Sequence, residues 1–453
     1  MVLAAPILFA IVVVLNVYAA SSSHWSETLR TLLVVVVVAA AVTALARLAV
    51  RTDVLASGLA SAAVLLLLTP INAPLVAAGA GAAGLIGWWR RRHGQDPMQP
   101  IGITLVFLAS VMLAFVLGRI VVTGAITPAD FAPVPALPAP EPPADLPNVY
   151  VLLLDGYPRQ DSLRDFGFDN SPFLEQLDGL GFEVHDDARS LYPRTELAIT
   201  SMLSPAAPDG LAELVLPPNG DYVAARRTVR RELLPQAPGP TDLVAAGYRL
   251  VYIGPPLRHV TPGGWHEDRT PGLVDSFEVA VLQRSALAPL AADWVADQHR
   301  SWLDRTLDAL TQGIGDQHGQ FVFAHLLAPH APYLFASDGG EGTLPDCWLE
   351  GCSIYAAREW HLSPEELAPL LTANVDALNQ RLIRILDQLV AEDPEATVIL
   401  LSDHGAAIES ADTPERSASF FAARTPGRPG LFDGRAGPDA LVYTLLGDRA
   451  AGD

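Results

Sequence analysis

Hydrophobic positions follow two different patterns along the chain, and the change between them falls near residue 125. Before it, apolar side chains form long runs, each close to the roughly 20 residues that a helix needs to cross the hydrocarbon core of a bilayer. Five such runs are present, at Val2–Ala20, Thr31–Val50, Val54–Thr69, Ala73–Trp89 and Ile101–Gly118. We therefore predict that residues 1–124 form a bundle of about five transmembrane helices.

Basic residues between these runs indicate how the bundle is oriented. Arg47 and Arg51 flank one connection, and a run of three arginines begins another at Arg90. The positive-inside bias places both connections on the cytoplasmic side, with the amino terminus inside and the carboxyl terminus outside. We predict a multi-pass protein of the cell membrane whose large domain is extracytoplasmic. If the first run is instead a cleaved signal peptide, the large domain lies on the same side.

The stretch from residue 125 to 147 is dense in proline and shows no hydrophobic periodicity. Such a composition favours an extended polyproline II spacer. We predict that residues 125–147 form a linker, although its last few residues packing on the next domain as a loop is an alternative.

From Asn148 onward, short apolar runs alternate with helical patterns, which is typical of a parallel sheet with helices on both faces. Ser363, Pro364 and Glu366 make a strong helix start, and leucines at helical spacing continue to about Glu392. We predict that residues 148–453 form one doubly wound α/β domain. Its predicted strands are the apolar runs Val149–Leu154, Arg249–Ile253, Phe321–Leu327 and Thr397–Leu401.

Composition adds constraints on the partners of the chain. Half of the residues (50%) are hydrophobic and only 17% are charged, and the formal net charge of −21 arises after Asp96, because acidic residues are almost absent before it. The predicted spans make the lipid bilayer a partner, whereas an acidic domain argues against nucleic acid. The sequence leaves the oligomeric state open.

Acidic side chains follow two of the predicted strands. Asp155 comes directly after Leu154, and the Asp403-His404 pair follows Leu401 with one serine between. The carboxyl ends of the strands in an open α/β sheet form the crevice in which ligands bind, and carboxylates combined with an imidazole suit zinc or manganese. We predict one divalent metal ion at this edge. Taken singly, each acid is equally well explained as a helix cap or a turn residue.

Two histidines lie near the end of the third predicted strand. His330 is held between two prolines just past the strand, which makes it a candidate for contacting a substrate phosphate or protonating a leaving oxygen. A loop histidine with one structural hydrogen bond is the alternative. His325, inside the strand, is interpreted as a core residue, with a direct role as the less favoured reading.

The chain has two cysteines, Cys347 and Cys352, in a segment rich in Gly, Pro and Asp. Their spacing allows a local disulfide that closes a small ring, which fits an oxidising exterior. Free thiols or weak metal ligands are the alternatives for a domain inside the cell.

The candidate site residues fall within a few blocks of sequence. The blocks read VYVLLLDGYPR, DNSPFLEQL with GFEVHDDARSLYPRTELAITSML, FVFAHLLAPHAPYLF and VILLSDHG. In their order and spacing, these blocks resemble the alkaline phosphatase superfamily, in particular the membrane-anchored sulfatase-like group that includes lipoteichoic acid synthases and phosphoethanolamine transferases. The resemblance covers roughly Pro147 to Arg424 and implies an alkaline-phosphatase-like fold for the domain.

The resemblance implies that one divalent metal is bound by Asp155, Thr195, Asp403 and His404, and that Thr195 is the nucleophile. A physical argument supports this role, because Thr195 precedes the apolar run Leu197–Leu203. It would then lie at a helix amino terminus, where backbone dipoles favour a bound anion. The alternative is that Thr195 only caps this helix.

Two arginines are candidates for binding substrate phosphate oxygens. Arg194 adjoins Thr195, and Arg416 lies in a turn after the Asp403-His404 pair. An exposed arginine without a role is the alternative for Arg194, and Arg416 is the weaker candidate of the two.

The chain also departs from its relatives in this superfamily. It contains no Cys-x-Pro-x-Arg motif, in which true sulfatases form formylglycine, and a threonine nucleophile suits phosphoryl chemistry instead. Asp155 stands where the transferases named above have glutamate, so no specific envelope polymer is favoured as substrate.

Together these features predict the activity class. We expect a membrane-anchored hydrolase or transferase acting on phosphate esters, and less so sulfate esters, of an envelope lipid or glycan. The alternative is a catalytically silent envelope protein whose sulfatase-like domain binds glycan or a partner.

Overall fold

The fold was obtained as a computed structural model, which describes residues 2–50, 52–68, 92–93, 99–131, 137–206, 208–217, 220–255, 263–272, 274–315, 317–342, 363–406 and 414–447. The chain divides into two compact units. The helical unit contains Met1–Ala132 and Val274–Asp293, and the sheet unit contains Pro133–Leu273 and Trp294–Asp453.

Long apolar helices build the first part of the helical unit. They are α1 (Ala5–Ala19), α2 (Trp25–Ala49), α3 (Asp53–Leu68) and α4 (Gln99–Val122). Among the described residues, three helical stretches are long and apolar enough to cross a membrane, Val2–Ala19, Trp25–Ala49 and Ile101–Val122, while α3 is apolar but shorter. The predicted run Ala73–Trp89 lies outside the described residues, so the count of about five spans stays a prediction.

Helix α2 begins six residues before the predicted run because polar residues cap it. The His24 side chain accepts a hydrogen bond from the backbone of Ser26, and Glu27 bonds back to the backbone of His24. This reciprocal arrangement pairs amide groups that the first helical turn otherwise leaves open.

Helices α1, α3 and α4 run in the same direction. Near their amino ends, the Ser57 hydroxyl donates to the Val2 carbonyl over 2.7 Å, and Gly102 lies against Val2 and Val54. At the other end, the Tyr18 hydroxyl donates to the carbonyl of Ala125, three residues after the end of α4. This is the arrangement expected of the first, third and fifth predicted runs.

The sheet unit is built on a mixed sheet that has seven strands within the described residues, in the order β2-β7-β6-β1-β5-β3-β4. Strands β6, β1, β5, β3 and β4 are parallel, whereas β7 is antiparallel to β6 and to β2. The four strands predicted from the sequence are confirmed within one residue. The strands are β1 (Val149–Leu154), β2 (Glu183–Val184), β3 (Arg249–Ile253), β4 (Glu267–Asp268), β5 (Gln320–Leu326), β6 (Thr397–Leu401) and β7 (Phe421–Arg424).

Further helices lie between and after these strands in the chain. They are α5 (Gln160–Asp165), α6 (Ser171–Gly179), α7 (Thr195–Met202), α8 (Tyr222–Thr228), α9 (Gly239–Ala245), α10 (Ser276–Gln283), α11 (Ala288–Thr311), α12 (Pro364–Glu392), α13 (Pro414–Ser417) and α14 (Leu441–Leu446). Short 3-10 turns occur at Val2–Ala4, Pro128–Phe131, Ala212–Leu214 and Leu234–Gln236, and a π-helical turn at Val229–Leu233.

Alternate residues of β1 enter two separate cores, one on each face of the sheet. Tyr150, Leu152 and Leu154 pack in a cluster with the leucines of α12. Val151 and Leu153 pack on the other face, in a cluster with residues of α7 and α14. Side chains of a strand point alternately to opposite faces, so the wholly apolar β1 implies helices on both sides. The predicted α/β layering is therefore confirmed.

Candidate metal centre

Two loops at the carboxyl ends of neighbouring strands position the acidic side chains. Asp155 directly follows β1, and its backbone amide donates to the Leu326 carbonyl over 3.0 Å. Asp403 and His404 follow β6, the strand on the other side of β1. All three site side chains are buried, and one ligand atom from each of Asp155, Asp403 and His404 lies within 4.8 Å of the others. The structure thus brings the predicted trio together.

Each carboxylate in this trio has one oxygen held by the protein and one oxygen left unpaired. Oδ2 of Asp155 lies 3.1 Å from Nε2 of His325, and Oδ1 of Asp403 accepts from the backbone amides of Gly156 and His404 at 2.9 and 3.0 Å. Within the part of the chain that the structure describes, Oδ1 of Asp155 and Oδ2 of Asp403 have no hydrogen-bond partner. An unpaired buried carboxylate oxygen costs more than the roughly 1–3 kcal/mol of a neutral group, which favours a cation between the two.

His404 presents one ring nitrogen to the same space. Its Nδ1 donates to the Gly405 carbonyl over 2.9 Å, and this bond assigns the proton to Nδ1. The Nε2 lone pair then lies 3.2 Å from Oδ2 of Asp403 and 3.9 Å from Oδ1 of Asp155. Burial and the positive charge of Arg416 lower the pKa of His404 to about 3. A neutral imidazole is the form that binds a metal.

The two carboxylates influence each other electrostatically. Burial and the negative charge of Asp155 raise the pKa of Asp403 to about 6, against the neighbouring Thr195 hydroxyl, which lowers it. Burial also raises the pKa of Asp155, but the nearby His330 and the hydrogen bond with His325 outweigh it and hold that pKa below its ordinary value. Two adjacent buried acids that share one space fit a divalent cation, because such an ion relieves the repulsion between them.

Thr195 lies beside this pair of acids. It is the first residue of α7, is half-buried, and its side chain is near enough to Asp403 to lower the pKa of that carboxyl. The N-cap position belongs to Arg194, whose side chain makes no capping hydrogen bond. The hydroxyl of Thr195 is therefore directed to the acidic cluster and not to the open amides of the helix.

The two predicted arginines have different surroundings. Arg416 lies at the cluster, where Nη2 is 3.2 Å from Nε2 of His404, and its Nε donates to the Pro193 carbonyl over 2.8 Å. Arg194 is buried against other groups: Nη1 lies 3.1 Å from the carboxylate of Glu196, and the guanidinium stacks over the ring of Tyr222. The weaker sequence candidate is thus the one that contacts a member of the trio, His404, and substrate binding by either arginine stays a prediction.

His330 borders the cluster from the loop after β5. Its Nδ1 donates to the Ala331 carbonyl over 2.7 Å, so the opposite ring nitrogen is the one available to a ligand. The ring lies close to Gly156, since a Cβ added there would be 3.9 Å from Cδ2 of His330 and 3.5 Å from Cε1 of His404. Gly156 also has φ +71°, a conformation that side chains disfavour.

His325 is the site residue that the sequence interpretation placed in the core. The structure does bury it within β5, where it is 1% exposed, but its Nε2 faces Asp155. The signal that identifies it is a lone ionisable residue inside an otherwise apolar strand, because buried polar groups require partners. The predicted Cys347–Cys352 disulfide lies outside the described residues.

The comparisons with known proteins give distant structural likenesses. No protein-family model matches the chain, and no curated protein matches it by sequence. The chain is similar to the C-terminal periplasmic domain of EcEptC from Escherichia coli, solved in complex with Zn, with 15% identity, a TM-score of 0.42, and coverage of 69% of this chain and 85% of that one.

Two further likenesses are of the same order. The integral membrane lipooligosaccharide phosphoethanolamine transferase A from Neisseria meningitidis is 14% identical, with a TM-score of 0.40 and coverage of 76% of this chain and 68% of that chain. A 2-O GAG sulfatase is 14% identical, with a TM-score of 0.40 and coverage of 68% and 71%. The chain is thus similar to solved phosphoethanolamine transferases and sulfatases, at a distance that leaves its activity to be argued from its own residues.

Proposed function

We propose that this chain is a membrane-anchored, metal-dependent enzyme that hydrolyses or transfers phosphate esters, and less favourably sulfate esters, of an envelope lipid or glycan, with Thr195 as nucleophile. The observation that carries the proposal is the pair of buried, unpaired carboxylate oxygens beside Nε2 of His404. A structural polar cluster pairs its buried atoms, so a cluster that leaves two acceptors open is organised for a ligand.

The two open carboxylate oxygens and the adjacent imidazole define which residues would hold the ion. Oδ1 of Asp155 and Oδ2 of Asp403 would bind it, Nε2 of His404 would bind it in place of its contact with Arg416, and the hydroxyl of Thr195 would supply a further oxygen. This mixture of oxygen and nitrogen donors suits zinc or manganese. When bound, the ion would lower the pKa of a ligated hydroxyl and neutralise charge on a phosphoryl group.

The chain's own groups account for the remaining chemistry. The hydroxyl of Thr195 would pass its proton to solvent, its oxygen would attack phosphorus, the bond to the departing alcohol oxygen would break, and a covalent phosphothreonine would form. The departing alcohol oxygen needs a proton, and His330 is positioned to give it from the ring nitrogen opposite Nδ1. Arg416 would contact phosphate oxygens as it lies within 3.2 Å of His404. Water or an alcohol would then release the group from Thr195.

The placement of this chemistry follows from the membrane helices. Three described helices are long and apolar enough to span a bilayer, and the arginine distribution supports a sheet unit outside the cytoplasm. A chain anchored in this way has lipid and envelope glycan within reach. Hydrolysis and transfer share the first half-reaction, which forms the phosphothreonine. They differ only in whether water or an alcohol then accepts the phosphoryl group.

Replacement of the nucleophile tests the proposal. Thr195→Ala in the full chain, loaded with zinc or manganese, should abolish release of nitrophenol from bis(p-nitrophenyl) phosphate. Thr200→Ala is the matched control, since Thr200 lies on the same helix and its hydroxyl bonds to the Glu196 carbonyl over 2.7 Å. Intact mass of the parent protein after incubation with envelope lipids should reveal an adduct on Thr195 and identify the transferred group.

The same experiment separates the enzyme from the silent binding protein. If the metal-loaded parent releases no nitrophenol and carries no adduct, while it retains glycan or protein binding, the enzymatic proposal is wrong. Equal activity of Thr195→Ala and Thr200→Ala would show that another residue is the nucleophile.

A further inference from the structure

A segment from the middle of the sheet unit's sequence belongs to the helical unit. Residues 274–293, here called the returning segment, lie between β4 and β5 in the chain. They nevertheless form one compact unit with residues 1–132. The segment starts with a well-formed helix, because Asp275 caps α10 and Glu278 bonds back to the Asp275 backbone.

The apolar face of α10 is buried among the membrane helices. Phe277 is fully buried, and its ring meets the ring of Tyr18 edge-on with 6.4 Å between centroids. Val281 lies in the same buried cluster as Val17 and Ala125. Contacts to α1 and α2 thus remove this face of α10 from solvent, as helix-on-helix packing requires.

Charged residues fix the position of α10 along α2. The guanidinium of Arg30, in the second turn of α2, forms an ion pair with Glu278 and lies 3.8 Å from a carboxylate oxygen of Asp275. Arg30 is half-exposed, so the pair contributes little to stability. It does place the start of the returning segment at the amino end of α2.

A second anchor lies just after α10. The amide of Ala286 donates to the Leu67 carbonyl over 3.0 Å. Leu67 lies in the last turn of α3, and Tyr18 lies in the last turn of α1. The returning segment therefore lies across one end of the bundle, at the level where these apolar helices finish.

Large apolar side chains follow this anchor and are exposed to solvent. Leu287 is 38% exposed and Leu290 is 84% exposed. The outward side of α2 carries a comparable surface, with Leu29 51% and Leu33 65% exposed. On a spanning helix such a surface contacts lipid, and the leucines of the returning segment continue it at the helix ends.

We propose that the returning segment is an interfacial membrane element, with Leu287 and Leu290 inserted into the leaflet at that end of the bundle. The occupant is lipid because the segment is bonded to the terminal turn of an apolar helix, where headgroups meet acyl chains. The chain of the sheet unit is then tied to the membrane at two places, before residue 133 and again through the returning segment. This inference does not depend on the proposed catalysis.

Depth-dependent quenching in the full chain tests this proposal. A dansyl-bearing amino acid introduced at position 290 by amber suppression keeps both cysteines and replaces an exposed side chain. The protein is reconstituted in liposomes of phosphatidylcholine and phosphatidylglycerol. A lipid with a nitroxide near the carbonyl of its acyl chain probes the membrane, and iodide probes water. The same residue at Leu33 is the lipid control, and at the exposed Asp387 of α12 it is the water control.

We expect position 290 to resemble position 33, with strong nitroxide quenching and a several-fold loss of iodide quenching relative to position 387. Iodide quenching equal to that at position 387 would overturn the proposal. Protection from both quenchers would also overturn it, because a protein surface and not lipid would then cover the segment.

Discussion

The two ends of strand β1 both carry buried polar clusters, and they differ in one respect. At the amino end, Asn148 donates to Oδ2 of Asp393 over 2.7 Å and accepts from the backbone of Gln320 over 2.8 Å. The Tyr150 hydroxyl donates to the same oxygen of Asp393 over 3.2 Å. None of these three side chains retains an unpaired buried atom within the described residues.

At the carboxyl end, the carboxylates of Asp155 and Asp403 each keep one oxygen open. Both clusters are buried to a similar degree and lie on the same strand, so burial alone does not tell them apart. Hydrogen-bond pairing does tell them apart. A network whose polar atoms are all paired fixes the ends of strands, whereas acceptors without partners are available to a ligand. The amino-end cluster is architecture, and the carboxyl-end cluster is the candidate site.

The largest expected effect on metal binding comes from removing a charge at the carboxyl end of β1. Asp403→Asn should lose metal binding by more than the roughly 10–100-fold that loss of an outer partner costs. The metal-free variant should be at least as stable as the parent, because the amide removes repulsion with Asp155. Metal content by mass spectrometry and thermal unfolding of the chelated protein measure the two quantities.

Retention of parent affinity by Asp403→Asn would show that the open oxygens are not ligands. A large fall in the stability of metal-free Asp403→Asn would show that the cluster at the carboxyl end of β1 stabilises the fold, as the amino-end cluster does.

The sequence predicted the position of the acids but not the distinction between the two ends. Asp155 and Asp403 were found because each ends an apolar run, and parallel strands bring such ends to one edge of a sheet. Asn148 and Asp393 also flank apolar patterns. Which atoms are paired depends on residues distant in sequence, such as Gln320 at the start of β5, and no local pattern specifies that.

Other features had weak or misleading local signals. Arg194 is adjacent to Thr195 in sequence, yet its guanidinium contacts Glu196, whereas Arg416 reaches His404 from a distant turn. Adjacency along a chain does not set the direction of a long side chain. The antiparallel strand β7 has only four residues, too few for periodicity. The sequence pattern of an apolar helix face, such as that of α10, is the same whether the face packs on a sheet or on membrane helices.

The second-largest effect on metal affinity should come from replacing His325, the hydrogen-bond partner of Asp155. His325→Leu keeps the size of a buried side chain but removes the donor to Oδ2 of Asp155, so the carboxylate is free to turn away from the open site. We expect metal affinity to fall about 10–100-fold. Competition with a chromogenic chelator gives the dissociation constants.

His325→Gln serves as the control, because its amide can still donate to Asp155 and should recover part of the affinity. Equal weakening by both substitutions, with equal loss of thermal stability, would assign His325 a packing role only.

A smaller, graded effect is expected from pH. The pKa of Asp403 in the metal-free protein is raised to about 6, mainly by burial and next by Asp155. A proton on this carboxylate competes with the cation, so affinity should be constant above pH 6 and should weaken by about tenfold for each pH unit below it. His404, with its pKa lowered to about 3, adds nothing in this range.

Calorimetric titration of the metal in buffers of different ionisation enthalpy counts the protons released. We expect about one proton at pH 5 and almost none at pH 8. Release of two protons at pH 5 would mean that a second ligand, and not Asp403 alone, titrates in this window.

The smallest effect on metal binding should come from a substitution in the fully hydrogen-bonded cluster at the amino end of β1. Asp393→Ala leaves the Asn148 amide and the Tyr150 hydroxyl without their acceptor, so the free energy of unfolding should fall by about 1–3 kcal/mol. The metal dissociation constant should stay unchanged, since the open oxygens lie at the opposite end of β1. Denaturant titration followed by chelator competition on the same sample measures both. A variant that lost metal as readily as Asp403→Asn would show that the two ends act as one network, because damage to the paired cluster would then reach the open one along the strand.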